Sequence, residues 1–228
     1  MAQLECHNLT LGYDGAIVAK GIDFSLNKGD YLCILGENGS GKSTLAKAIL
    51  RLNHALSGEI LFTDGLTSNK IGYLPQQTPS QKDFPASVKE IVRSGGLNRG
   101  GLFPFYSKAE KQRATAVMEQ LQLLPLKNRC FRELSGGQQR KVLLARALIA
   151  TRELLLLDEP AAALDPHATA ELYETIHRLN KQQNITIIMI SHDLEAAKKY
   201  ADKILHISKN SAFFGSSEEY FKGGLCND

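Results

Sequence analysis

The octapeptide Gly36-Glu37-Asn38-Gly39-Ser40-Gly41-Lys42-Ser43 restricts the fold of this chain more than any other stretch. It fits G-x-x-x-x-G-K-[ST], with the apolar run Tyr31 to Leu35 before it and the good helix formers Thr44 to Leu52 behind it. Strand, glycine-rich turn and helix in that order predict a βα step of a largely parallel sheet. The glycines let consecutive backbone N–H groups converge on phosphate oxygens, and the helix N-terminus adds favourable partial charge. In that arrangement Lys42 reaches the β and γ phosphates and Ser43 holds Mg²⁺ through its hydroxyl. Gly36, Asn38, Gly39, Ser40, Gly41 and Thr44 complete the predicted cradle. A glycine-rich turn that binds nothing is the plain alternative. Lys42, Ser43 and both correct flanks weigh against it.

A second constraint is Leu154-Leu155-Leu156-Leu157-Asp158-Glu159. Four leucines bounded by carboxylates read as a strand buried on both faces, the usual pattern of a central strand in a parallel sheet. Ligands of doubly wound sheets sit at the carboxyl ends of such strands. Asp158 is therefore the candidate Mg²⁺ carboxylate, and Glu159 the candidate general base for an attacking water.

Between these motifs the patterning changes. Leu4 to Leu11 and Ala16 to Leu26 alternate like strands broken by Gly12, Gly15 and Gly21, and short strands are predicted over Glu59 to Phe62 and Ile71 to Leu74. From about residue 77 to 150 the pattern is helical. Ser107 with Glu110 has capping-box spacing, and Val117, Leu121 and Leu124 form an apolar stripe ended by Pro125. The last third alternates again: a helix from Asp165-Pro166, a strand Ile185 to Ile190, a helix after Asp193, and strands near Lys203 to Ile207 and Ala212 to Phe214. The expected architecture is one α/β domain over 2–227. It has a mainly parallel phosphate-loop core, an antiparallel β subdomain and an inserted helical subdomain. The glycine- and aromatic-rich stretch Ser94 to Tyr106 reads equally as a surface loop or as a partner-docking surface.

Composition removes several function classes. The 27 basic and 24 acidic residues leave a net charge of +3 with no long basic run, so no nucleic-acid partner is expected. Cys6, Cys33, Cys130 and Cys226 are scattered without a CxxC pair, which reads as reduced thiols rather than a zinc site or a disulfide framework. No apolar run approaches the roughly 20 residues that span a bilayer. Any work at a membrane therefore needs a partner to supply the membrane part.

Leu134-Ser135-Gly136-Gly137-Gln138, placed between the phosphate loop and the leucine strand, completes the set. With it the chain resembles the ATP-binding subunits of ABC transporters along nearly its whole length. These five residues match the family's LSGGQ signature without substitution. Gln76 stands where the Q-loop glutamine lies, Ala163-Leu164-Asp165 is similar to the D-loop, and Ser191-His192-Asp193 to the switch-histidine segment. Tyr13 matches the aromatic that stacks on adenine, although a turn tyrosine packed on the core is an equal physical reading.

The resemblance implies ATP and Mg²⁺ as ligands, with Gln76 as a further Mg²⁺ contact and catalytic helper beside Lys42. It also implies that His192 hydrogen-bonds the γ-phosphate and the attacking water. Two subunits would pack head to tail as a homodimer, so that Ser135, Gly136, Gly137 and Gln138 of one close over the nucleotide held by the other's Lys42. Further partners implied are integral membrane permease subunits and, indirectly, a solute-binding protein, with the chain peripheral on the cytoplasmic face of the membrane. The run Asp83-Phe84-Pro85-Ala86-Ser87-Val88 is similar to the zinc and manganese uptake branch. Arg93-Ser94 departs from the apolar pair expected there. Cobalamin or iron-siderophore importers, and non-transport ABC ATPases of repair or cluster assembly, are the alternatives.

Overall fold

In the computed structural model, the residues described are 2–13, 16–76, 84–96, 106–151, 153–208 and 211–223. Among them the strands are β1 (Ala2–Tyr13), β2 (Ala16–Asn27), β3 (Tyr31–Leu35), β4 (Ser57–Phe62), β5 (Ile71–Leu74), β6 (Leu154–Asp158), β7 (Thr186–Ile190), β8 (Lys203–Ile207) and β9 (Ala212–Ser216). The α-helices are α1 (Lys42–Ile49), α2 (Val88–Ser94), α3 (Lys108–Gln120), α4 (Gly136–Ala150), α5 (Pro166–Gln183), α6 (Leu194–Tyr200) and α7 (Ser217–Lys222).

Six strands make a sheet in the order β5-β6-β7-β3-β8-β9. All its pairs are parallel except β8 with β9. The leucine run explains why this sheet is central. Leu155 and Leu157 point into one apolar cluster with helices α2 to α5, while Leu154 and Leu156 point into another with α1 and the second sheet. All four are 0% exposed. Burying a leucine side chain is worth about 1.5–3 kcal/mol relative to leaving it in water, so this short strand is fixed in register from both sides.

The second sheet is antiparallel, β2-β1-β4, and contributes Leu4, Leu9, Leu11, Ile22, Phe24 and Leu26 to the cluster under α1. Gly12 and Gly21 do not break its strands as the sequence pattern suggests. The β1–β2 ladder runs through them, with register shifts between Cys6 and Leu9, Leu9 and Leu11, and Leu11 and Gly12. Gly21 takes φ +65°, a conformation open to glycine that lets the strand bulge and continue.

The helical region lies between β5 and β6, as expected, with one correction. Helix α3 stops at Gln120 instead of continuing through the stripe to Pro125, because Gln122 adopts φ +59°. Leu124–Leu126 is a separate 3₁₀ turn. The predicted Ser107–Glu110 capping box is present, and equivalent boxes start α2 at Ser87 and α7 at Ser216. Helix α4 carries Val142, Leu144, Ala145 and Leu148 into the core and is the buried spine of this region. Residues 97–105, most of the glycine- and aromatic-rich stretch, lie outside the described residues, as do Asp83 and Cys226. Cys6 and Cys33 are buried and Cys130 half-buried, all three as free thiols.

Candidate functional site

The strand order β5-β6-β7-β3 places four carboxyl-terminal strand ends side by side. Gln76 follows β5, Asp158 ends β6 with Glu159 next, Ser191-His192 follows β7, and the phosphate loop follows β3. Motifs scattered over more than a hundred residues of chain thus meet at one edge, where parallel sheets bind ligands.

The phosphate loop is shaped by its glycines. Gly36, Gly39 and Gly41 have φ of +137°, +83° and +98°, all in the region that L side chains avoid. A Cβ on Gly36 would stand 2.2 Å from the carbonyl oxygen of Ile207 and 2.9 Å from Ser40 Oγ. Gly36→Ala is therefore expected to lose about 1–3 kcal/mol of stability and to weaken nucleotide binding, read by denaturant unfolding and nucleotide titration. Wild-type values for both would show that the loop tolerates a side chain there. Helix α1 begins at Lys42, two residues earlier than its pattern suggests, with Gly41 as its left-handed N-cap.

Lys42 is 6% exposed, and its Nζ donates to the carbonyls of Gly36 at 2.8 Å and Glu37 at 2.6 Å. Burial lowers its pKa, while the carboxylates of Glu159, Asp158 and Glu37 oppose the shift. Asp158 is held above the usual carboxylate range, first by burial and second by the adjacent Glu159. A hydrogen bond from Ser43 and the charges of Lys42 and Lys47 work the other way. Two carboxylates thus stand next to each other at the end of β6, with the Ser43 hydroxyl hydrogen-bonded to the first of them.

Glu159 is the hub of the site. Gln76 Nε2 donates to its Oε2 at 2.7 Å, and His192 Nε2 lies 3.1 Å from its Oε1. Its backbone sits at φ +46° and its N–H donates to the carbonyl of Ile190 at 3.0 Å, which turns the chain sharply off the end of β6. Such a conformation in a non-glycine residue is costly and recurs at functional sites. Beside it, the Ser191 hydroxyl accepts the N–H of Asp193 at 3.0 Å, and Asp193 in turn caps α6 by accepting from Ala196 N at 2.9 Å. His192 is left projecting from a braced turn.

Ser135 and Gln138 occupy a different place. Ser135 is the N-cap of α4: its hydroxyl accepts from Gln138 N at 3.3 Å, while Gln138 Oε1 accepts from Ser135 N at 3.1 Å. The helix starts at Gly136, so Gly136, Gly137 and Gln138 form its first turn. A Cβ on Gly136 would meet Leu164 at 3.4 Å, and one on Gly137 would meet Ala168 at 3.0 Å. The first turn of α4 therefore rests on the Ala163-Leu164-Asp165 segment, whose Asp165 caps α5 through Ala168 N at 2.9 Å. Among the described residues, no hydrogen bond joins Ser135 or Gln138 to the phosphate loop. Tyr13 ends β1, and its side chain lies outside the described residues.

Sequence reasoning missed Arg140, a large fully buried side chain at 1% exposure. No signal in the sequence marks it: Arg140 stands beside Lys141 in a helical run, where a charged head is ordinarily solvated. No group of His, Cys, Asp and Glu able to hold a metal ion occurs among the described residues, and none of their helices is long and apolar enough to cross a membrane.

The family model described as ABC transporter matches residues 19–162. The zinc uptake system ATP-binding protein ZurA of Listeria innocua is 34% identical over 223 residues, 95% of this chain and 87% of that protein. The zinc import ATP-binding protein ZnuC of Wolbachia pipientis is 33% identical over 229 residues, 99% of this chain and 87% of that one. Among solved structures, a nucleotide-free ATP-binding cassette from an ABC transporter superimposes with a TM-score of 0.86 at 26% identity, covering 100% of this chain and 96% of that one. CbiO1 from Clostridium perfringens, part of the ABC transporter complex cbiONQ, gives 0.83 at 29% identity over 97% and 91%.

Proposed function

This chain belongs to the ABC transporter family, and we propose that it is the ATP-hydrolysing subunit of an importer for a divalent metal ion of the zinc or manganese type. The observation that carries the reading is the convergence of Lys42, Asp158, Glu159, Gln76 and His192 at four adjacent strand ends, while Ser135 and Gln138 at the α4 N-terminus make, among the described residues, no hydrogen bond to the phosphate loop. A site split in this way is complete only when a second subunit brings its own Ser135-to-Gln138 turn. A homodimer has two such composite sites.

The reaction is hydrolysis of the terminal phosphoanhydride bond. Backbone N–H groups of the phosphate loop hold the phosphates, and Lys42 exchanges the Gly36 and Glu37 carbonyls for phosphate oxygens. Glu159 takes a proton from water as the water oxygen bonds to the γ-phosphorus and the β–γ bridging bond breaks. Gln76 and His192, both already on the Glu159 carboxylate, orient that carboxylate and the water. The Ser43 hydroxyl, the Asp158 carboxylate and the Gln76 amide oxygen are the hard oxygen donors that Mg²⁺ prefers and would hold it, and the hydrogen bond between Ser43 and Asp158 keeps two of them together. When bound, Mg²⁺ supplies charge neutralisation at the phosphates. The α4 first turn, with the Gly136 and Gly137 N–H groups ahead of the capped Gln138 N–H, offers the partner's γ-phosphate an anion site.

Support for a membrane partner comes from an apolar groove between β5 and the helical region. Phe84, Ala86, Ile91, Phe131 and Leu143 make most of its lining, Glu90 and Arg146 add a charge of each sign, and Gln76 is one residue beyond its rim at Pro75. Phe84 is 56% exposed, which leaves its ring open to a covering partner. A permease segment seated there would touch the Q-loop segment directly. The metal reading rests on the Phe84-Pro85-Ala86-Ser87-Val88 run and on relatives named for zinc uptake.

The tagged chain, extracted with detergent, is expected to bring an integral membrane subunit with it. Cells lacking the chain should lose high-affinity uptake of radiolabelled zinc or manganese. Soluble partners only would sink the transport reading. Unchanged uptake of both metals, with a membrane subunit still captured, would move the cargo to another class.

A further inference from the structure

Arg140 lies two residues past Gln138 on α4 and is sealed from solvent. Its Nη2 reaches the carbonyl oxygen of Ala162 at 3.5 Å, the far limit of a hydrogen bond, and its Nε and Nη1 have no hydrogen-bond partner among the described residues. A guanidinium has five donors and stays ionised in proteins, so burying it this poorly matched is costly. The opposing charge is Glu159: burial lowers the proton affinity of Arg140, and the Glu159 carboxylate raises it. The geometric link runs through one turn of chain: Arg140 on α4 reaches the Ala162 carbonyl, and the Ala162 N–H donates to the carbonyl of Glu159 at 3.2 Å, the residue whose carboxylate Gln76 and His192 already hold.

We propose that Arg140 is a positioning residue that couples the two ATP sites of the dimer, tying the helix that serves the partner's nucleotide to the base that serves the chain's own. This rests on the split-site reading above. Closure of the α4 first turn on the partner's phosphate shifts the root of Arg140, and the spare donors on Nε and Nη1 give the guanidinium a second arrangement to enter. Glu159 is then set for proton abstraction only when its own subunit has engaged the partner. A buried cation with a full set of partners would be locked in one position; this one is not.

The test compares Arg140→Met, Arg140→Lys and Ser135→Arg in the purified full-length chain. Arg140 makes no ion pair within 4 Å among the described residues and a single long hydrogen bond, so an apolar side chain of similar length removes its desolvation cost without stranding a close partner charge. Arg140→Met should therefore melt no lower than wild type, bind ATP as a monomer with unchanged affinity, and lose turnover by about 10- to 100-fold. Its dependence on ATP concentration should fall from a Hill coefficient above one to one. Arg140→Lys, which keeps the charge but not the fork, should recover part of the turnover. Wild-type turnover in Arg140→Met overturns the proposal, and so does a turnover loss that merely follows a fall in melting temperature. If Ser135→Arg stops hydrolysis while Arg140→Met does not, only the coupling role fails. If Ser135→Arg leaves hydrolysis intact, the split site fails and the coupling fails with it.

Discussion

Glu159→Gln is expected to lower ATP turnover by about 10²- to 10⁴-fold while ATP binding stays close to wild type, the range that removal of a positioned general base produces. The separation follows from the geometry. The phosphate contacts belong to the loop after β3 and to Lys42, and neither is altered by exchanging one carboxylate oxygen for an amide nitrogen. Gln keeps the size and shape that let Gln76 and His192 hold the side chain in place. It also removes the negative charge beside Asp158 that helps push the Asp158 pKa up, so the nucleotide-free chain should be no less stable. With phosphate contacts intact and the proton acceptor gone, the ATP-bound dimer should accumulate, visible as a shift from monomer to dimer in size-exclusion chromatography with ATP. Retained turnover would remove Glu159 from its role and leave His192 as the remaining candidate base at this edge.

Ser135→Arg should abolish hydrolysis, by about 10²-fold or more, through a different step. The side chain is exposed at the start of α4 and touches no group of its own chain's phosphate loop among the described residues. Binding of ATP to the monomer should therefore survive, while the dimer seen with Glu159→Gln should not form when the two changes are combined. Part of the effect is local, since loss of the N-cap hydroxyl costs roughly 1 kcal/mol. Ser135→Ala isolates that part: it removes the cap without adding bulk, and should retain substantial turnover. Monomer binding lost together with hydrolysis in Ser135→Arg would contradict a turn that acts on the partner's nucleotide.

Much of the fold was legible because its central elements are strongly constrained. The strands Tyr31 to Leu35, Ile71 to Leu74 and the leucine run fall where their apolar patterns put them, since each is pressed between two cores and can neither slide nor fray. Where burial is one-sided the sequence is a weaker guide. The β1–β2 ladder absorbs glycines by shifting register, and α3 ends because Gln122 enters a left-handed conformation usually taken by glycine or asparagine. In the site, each motif was readable by itself, as phosphate loop, acidic strand end and histidine turn. Their meeting on Glu159 was not, because strand order decides which ends become neighbours. Arg140 escaped notice for a related reason: helical residues with charged heads are ordinarily solvated, and only tertiary packing shows that this one is enclosed.

The order β5-β6-β7-β3 also acts as a ruler. Adjacent strands are spaced by about 4.8 Å and rise about 3.3 Å per residue, so the separations among Gln76, Glu159, His192 and Lys42 are inherited from backbone hydrogen bonding. Core substitutions that preserve volume leave that scale untouched, which gives the interior freedom to drift while the chemistry keeps its dimensions. A one-residue slip of β6 has the opposite effect. It would exchange the faces of Leu154 and Leu155 and carry Glu159 out of reach of both its partners at once, so loss of register and loss of turnover should be a single event.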